Sequence, residues 1–337
     1  MTWTILIMGF LFGILLQYAK LNKYNTISGM AILEDFTVAK TIATAIGIGA
    51  ILISIETGLG LASYHIKPFM VEHVIFGGII FGIGMAVLGY CPGTLPISFG
   101  QGSLDALFGI LGGFLGGFIH TIISPGINQI FKTNLGKISL FSAIGSYSVL
   151  FYALVIIIGA FFVAVSFWLN KIEKKKDMKW FYTGLGIAIL ACFVFASSIT
   201  DRVIGVSSFY SKFGNTLTGN TQNNHFTLQS ISQGDWHMNF ILGAFISGLV
   251  ISLLRKEFKF QVVYENWARF KGSSLIRRLI WSFSGGFLLL FGAKLAKGCT
   301  SGHVISGGMQ LAASSMVFAA FVFASFLLTG KIFYKKK

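Results

Sequence analysis

The stretch GYCPGTLPISFGQG, residues 89–102, follows directly on an apolar run at residues 74–88 and holds two of the four prolines in the chain. Proline removes a backbone donor and clashes with a helical turn, and the glycines around it favour reversal, so a helix stops here. The run before it is short for a complete span, which puts the stop inside the apolar layer. A shift of 208 residues lays a second break, KGCTSGHVISGG at residues 297–308, on the first. Gly77 then falls on Gly285, Gly78 on Gly286, Gly84 on Gly292, Cys91 on Cys299, Ile97 on Ile305, Ser98 on Ser306 and Gly100 on Gly308. Glycine matches alone carry little weight in so Gly-rich a chain, but a cysteine shared at the same break marks an internal repeat.

Working outward, the composition makes lipid the solvent of this chain. Its mean hydropathy is +0.77 and only 11% of its residues are charged, against roughly a quarter in soluble domains. Nine apolar runs read as spanning helices: 3–18, 38–61, 74–88, 104–123, 147–169, 180–197, 240–254, 279–295 and 310–328. The expected fold is an all-α polytopic membrane protein forming one membrane domain over 1–337. The two breaks lie five helices apart, an odd number, which gives the copies opposite orientation, the inverted-repeat plan of many transporters. Repeat one covers about 1–125, a connecting helix about 145–170 and repeat two about 180–330, with broken or re-entrant helices at the centre.

The net charge of +15 does not point to nucleic acid, because the cations sit between apolar runs and not on a soluble face. They act as topology signals. With nine spans and the N-terminus outside, nineteen Lys and Arg fall on the cytoplasmic side and five outside, including Lys67. The expectation is a multi-pass protein of the bacterial inner membrane, N-terminus outside and C-terminus cytoplasmic, with lipid as its surroundings. The basic 171–179 linker and the tail are solvated anchors, with anionic lipid as a secondary contact. Three scattered cysteines give neither a disulfide framework nor CxxC zinc spacing, and no metal, cofactor or nucleotide-binding motif is expected.

Unwound backbone at membrane depth survives only where protein or a polar cavity satisfies it, so the paired breaks mark a pathway. Cys91, Pro92, Gly93 and Thr94 form the first site. Cys299, Thr300, Ser301, Gly302 and His303 form the second, with Lys294 and Lys297 just before it. Both supply a soft sulfur, small residues and backbone N–H groups, a combination suited to a small anion. A polarizable thiol fits a soft solute better than chloride or phosphate. The bland alternative is that the cysteines fill gaps between glycine-packed helices, and this is the reading for Cys192. His303 is either a proton carrier or a donor to a local carbonyl. His120 reads as interfacial, and Glu56 as a carboxylate reaching to the surface.

At FGIGMAVLGYCPGT, residues 81–94, and GAKLAKGCTSGHVISGGMQLAASS, residues 292–315, the chain resembles the YeeE/YedE sulphur-transport family, with Lys294 where the family usually has arginine. The resemblance implies an hourglass of spanning helices with inward-pointing elements, and import of thiosulfate or a closely related sulfur anion past a line of three functional cysteines. Cys91 and Cys299 match two of them. The third position falls in NKYNTISGM, residues 22–30, which has no cysteine, and Thr26 is the candidate replacement. The family also implies a small cytoplasmic sulfur-carrier protein as a partner, and relatives linked to selenium metabolism keep a selenium or other sulfur compound as an alternative solute. An intramembrane sulfurtransferase, with Cys299 as nucleophile and His303 as base, and a membrane scaffold for a cytoplasmic sulfurtransferase are the competing classes. A non-enzymatic transporter is expected, with Cys91 capturing the solute and Cys299 handing it on.

Overall fold

The computed structural model describes residues 2–173, 177–210 and 236–335. Lys174, Lys175, Lys176, Lys212, Lys336 and Lys337, which enter the charge count, lie outside them. Among the described residues the chain is helical, with extended pairing confined to isolated bridges. The helices are α1 (Thr2–Tyr18), α2 (Tyr24–Ala31), α3 (Thr37–Gly58), α4 (Val71–Leu88), α5 (Thr94–Gly100), α6 (Leu104–Ile130), α7 (Leu140–Ile144), α8 (Val149–Ile172), α9 (Lys179–Phe195), α10 (Trp236–Leu254), α11 (Glu265–Lys271) and α12 (Leu275–Leu295). A π-helix (Thr300–Ile305), α13 (Ser306–Met309) and α14 (Ala313–Phe333) complete the chain. Among the described residues, seven segments are long and apolar enough to cross a membrane: α3, α4, α6, α8, α10, the 275–309 segment and α14. α1 and α9 are apolar but shorter, at 17 residues each.

Of the glycines that match under the 208-residue shift, Gly77, Gly84, Gly285 and Gly292 sit where α4 and α12 cross. A Cβ placed on Gly77 would lie 2.9 Å from the Gly292 carbonyl oxygen, and one on Gly292 would lie 2.8 Å from that of Gly77. Further along, a Cβ on Gly84 would meet the Gly285 oxygen at 2.9 Å. The contacts run in opposite senses along the two helices, so α4 and α12 are antiparallel. Lipid tails give helices no hydrophobic reason to associate, and close backbone approach through small residues supplies the contact instead.

The other packings come in twos. α12 lies along α6 as α14 lies along α4, α10 on α1 as α9 on α3, and α5 on α10 as α13 on α3. α8 joins the bundle through α3, where Gly47 faces Gly159 and buried Lys40 pairs with Glu173. Its outer face, with Val149, Ile157 and Phe161, is open. One expectation changes here. α6 continues ten residues beyond His120 to Ile130, so His120 stands not at the helix end but within it, buried against the ring of Phe291.

Candidate functional site: two capped helix breaks

α4 stops because Gly89 takes a left-handed conformation, φ 76°, which a glycine adopts without a Cβ clash. Cys91, Pro92 and Gly93 then turn the chain into α5. Thr94 holds the turn, its hydroxyl accepting from the Cys91 N–H at 2.9 Å and donating to the Cys91 carbonyl at 3.0 Å. The carbonyls freed at the end of α4 are taken up by distant side chains. Arg278, from the first turn of α12, donates to Leu88 O at 2.7 Å, and Tyr334 donates to Ala86 O at 3.0 Å. Arg278 also pairs with Asp105 at 2.6 Å, both side chains fully buried, and Tyr90 donates to the same carboxylate at 3.3 Å. This cation is therefore neutralised. Counting Arg278 among the topology charges is corrected accordingly: it is an internal cap and not a solvated anchor.

The second break repeats the plan with different chemistry. Lys297 stands at the position equivalent to Gly89 and is also left-handed, φ 57°, a conformation that costs about 1–2 kcal/mol without glycine. The Gly298 N–H closes the helix end onto Ala293 O at 2.8 Å. Lys67 of the 59–70 connection reaches the Lys297 carbonyl at 2.6 Å. A cation arriving ahead of α4 thus caps α12, as Arg278 at the start of α12 caps α4. His303 Nε2 lies 2.8 Å from Ala296 O, and because a carbonyl only accepts, that nitrogen carries the proton. Nδ1 then accepts from the Ser315 hydroxyl at 3.0 Å. Of the two roles open to His303, its geometry is that of the donor to a local carbonyl.

Cys299 is wholly buried, with its Sγ 3.2 Å from the Ser301 hydroxyl. The Ser207 side chain and the backbone at Val206 and Gly302 also engage the thiol. The 202–207 segment is tied down beside it, with Ser306 accepting from Ile204 N–H and donating to Ile204 O, each at 3.1 Å. The Thr300 hydroxyl is buried and has no hydrogen-bond partner among the described residues. Lys67 and Lys294 both lie within electrostatic range of the Cys299 sulfur. Among the described residues Lys67 has no carboxylate in ion-pair contact, and desolvation lowers its ammonium from the ordinary lysine range to about 8.

Both breaks are tied to the 202–210 segment, the second through Cys299 and the Val206 backbone and the first through Pro92 and Tyr210. Cys91 and Cys299 interact electrostatically with each other and with Tyr210, whose hydroxyl donates to Pro92 O at 3.1 Å. Thr26 lies buried in α2, and Cys192 meets Glu56. Lys67, Arg278, Asp105, Ser207 and Tyr210 are participants that reading along the sequence does not single out.

A helical bundle with two discontinuous helices, whose freed backbone carbonyls are capped by cations from distant parts of the chain, is an architecture that membrane transport proteins use. The family model described as Sulphur transport matches residues 23–328, and the chain belongs to that family. It is a transport protein and not an enzyme. It is similar to "Thiosulfate transporter TsuA" of Spirochaeta thermophila, with 26% identity over 333 residues that cover 95% of this chain and 96% of the relative.

Proposed function

We propose that the chain imports thiosulfate, or a closely related sulfur oxyanion, past the thiols of Cys91 and Cys299. The observation that carries this reading is the asymmetry of the two breaks. The charge capping the Cys91 break is cancelled by Asp105, whereas the Cys299 break keeps the ammonium of Lys67 and a buried Thr300 hydroxyl without a partner among the described residues. A soft dianion is drawn by the charge, takes the hydroxyl as a donor and presents its terminal sulfur to polarizable thiols. The solute passes by transient S–H to sulfur contacts, with no covalent bond made or broken. Under this reading Pro92, Gly93, Thr94, Ser301, Gly302 and Lys294 line the passage, His303 holds the second break open, and Thr26 replaces a third thiol.

The reading includes nine spans, α1 and α9 among them, arranged as two inverted repeats about the α4–α12 crossing. The paired packings and the antiparallel glycine contacts support it. It also includes an inner-membrane location with the N-terminus outside, surrounding lipid, and a cytoplasmic sulfur carrier as recipient. Uptake of labelled thiosulfate by cells lacking other importers tests the central claim. Cys91→Ala and Cys299→Ala should each abolish uptake at unchanged membrane abundance, and full uptake by both variants would overturn the thiol role.

A further inference from the structure

A second charged site lies apart from the breaks, where α1, α9 and α10 end on the same face of the bundle. A cavity of about 380 Å³ opens there, and Lys20, Lys23, Lys179 and Arg255 line it against a single carboxylate, Glu257. Its back wall is a fixed amide network. Gln101 Oε1 accepts from Lys23 Nζ at 2.7 Å and Asn22 Nδ2 at 2.9 Å, while Gln101 Nε2 donates to Gln17 Oε1 at 2.7 Å. Lys179 stands over the ring of Tyr18, 6.0 Å from its centroid. Tyr18 is the last residue of α1, Lys179 the first of α9, and Arg255 directly follows α10, so the cavity sits where these helices leave the apolar layer.

Two exposed apolar stripes run from this cavity along the bundle. On α1 they are Trp3, Ile7 and Leu11, continuing to Tyr18; on α9 they are Tyr182, Ile189 and Phe193. The spacings of four and seven keep each set on one helix face. A small soluble oxyanion would use the cations and leave the stripes unused. A basic pocket between helix ends with apolar tracks leading from it matches a phosphate headgroup together with its acyl chains. We propose that this cavity holds the phosphate of an anionic phospholipid, with the chains lying along the α1 and α9 stripes. Because Gln101 directly follows α5, the bound lipid would brace the helix that follows the Cys91 turn.

Native mass spectrometry of the full chain in detergent tests this, with phosphatidylglycerol, phosphatidylethanolamine and inorganic phosphate as separate probes. The expected result is one phosphatidylglycerol retained at least tenfold more strongly than phosphatidylethanolamine and not displaced by millimolar phosphate. The double variant Lys20→Gln/Arg255→Gln should lose that preference, and Lys20→Arg/Arg255→Lys should keep it. Leu11→Ser/Tyr182→Ser should weaken retention through the chains alone. Equal retention of the two lipids, an unaffected double variant, or ready displacement by inorganic phosphate would each overturn the proposal, the last by showing a site for small oxyanions. Unchanged thermal unfolding of the variants, whose altered residues are solvent- or lipid-exposed, separates these outcomes from misfolding.

Discussion

Lys67 gives the sharpest pH prediction. Its ammonium caps the Lys297 carbonyl and faces the Cys299 sulfur, and desolvation brings it to about 8. The shift is downward, so the charged form is present below pH 8 and is lost as pH rises through it. About ten in eleven sites are charged at pH 7 and one in eleven at pH 9, a roughly tenfold change that is ~1.4 kcal/mol in the apparent affinity of an anion that needs the charge. Thiosulfate itself is fully ionised throughout this range. Uptake into proteoliposomes, with equal pH on both sides and subsaturating thiosulfate, should therefore fall about tenfold between pH 7 and pH 9. Lys67→Arg keeps the cation at every pH in the range and should flatten the profile, while Lys67→Gln should be low throughout. A wild-type profile that is flat from pH 7 to 9, or a decline that persists in Lys67→Arg, would refute the reasoning by assigning the titration elsewhere.

Three further outcomes follow from packing and burial. Gly84→Val and Gly292→Val force a side chain into opposing backbone and should each destabilise by about 1–3 kcal/mol in detergent thermal unfolding. Gly126→Ala, with open space around its Cβ, should leave the midpoint unchanged. Arg278→Met strands a buried Asp105 carboxylate and should cost about 3–5 kcal/mol, part of which Asp105→Leu in the same chain restores; no recovery in the double variant would count against the pairing. Cys91 is half-buried and Cys299 buried, so a small methanethiosulfonate should label Cys91 at least tenfold faster, and equal rates would contradict the geometry.

Much of the fold was legible because its determinants are local. The Gly89–Gly93 run stops α4 where it stands, while Pro125–Gly126 sit inside α6 without ending it, and twenty apolar residues in a row leave the backbone few alternatives in lipid. The match of Gly77, Gly84 and Cys91 with Gly285, Gly292 and Cys299 could be read as a repeat without coordinates. Its meaning as one antiparallel crossing could not, since the pairing that matters joins Gly77 to Gly292 and not to its own equivalent. His303 shows the same limit: the motif left two roles open, and only the coordinates place its ring between the Ala296 carbonyl and the Ser315 hydroxyl.

The sequence by itself determined where the chain breaks, which sulfurs lie at the breaks and that the surroundings are apolar, since those properties belong to residues next to one another. Only the tertiary structure decided which charges serve the breaks. Lys67 caps a carbonyl 230 positions away, and Arg278 meets Asp105 across 173 positions. Along the chain both cations look like ordinary loop or helix-end charges. Among the described residues one is neutralised and the other has no carboxylate in ion-pair contact, so a desolvated ammonium and a paired guanidinium carry the same formal charge but opposite consequences for an approaching anion.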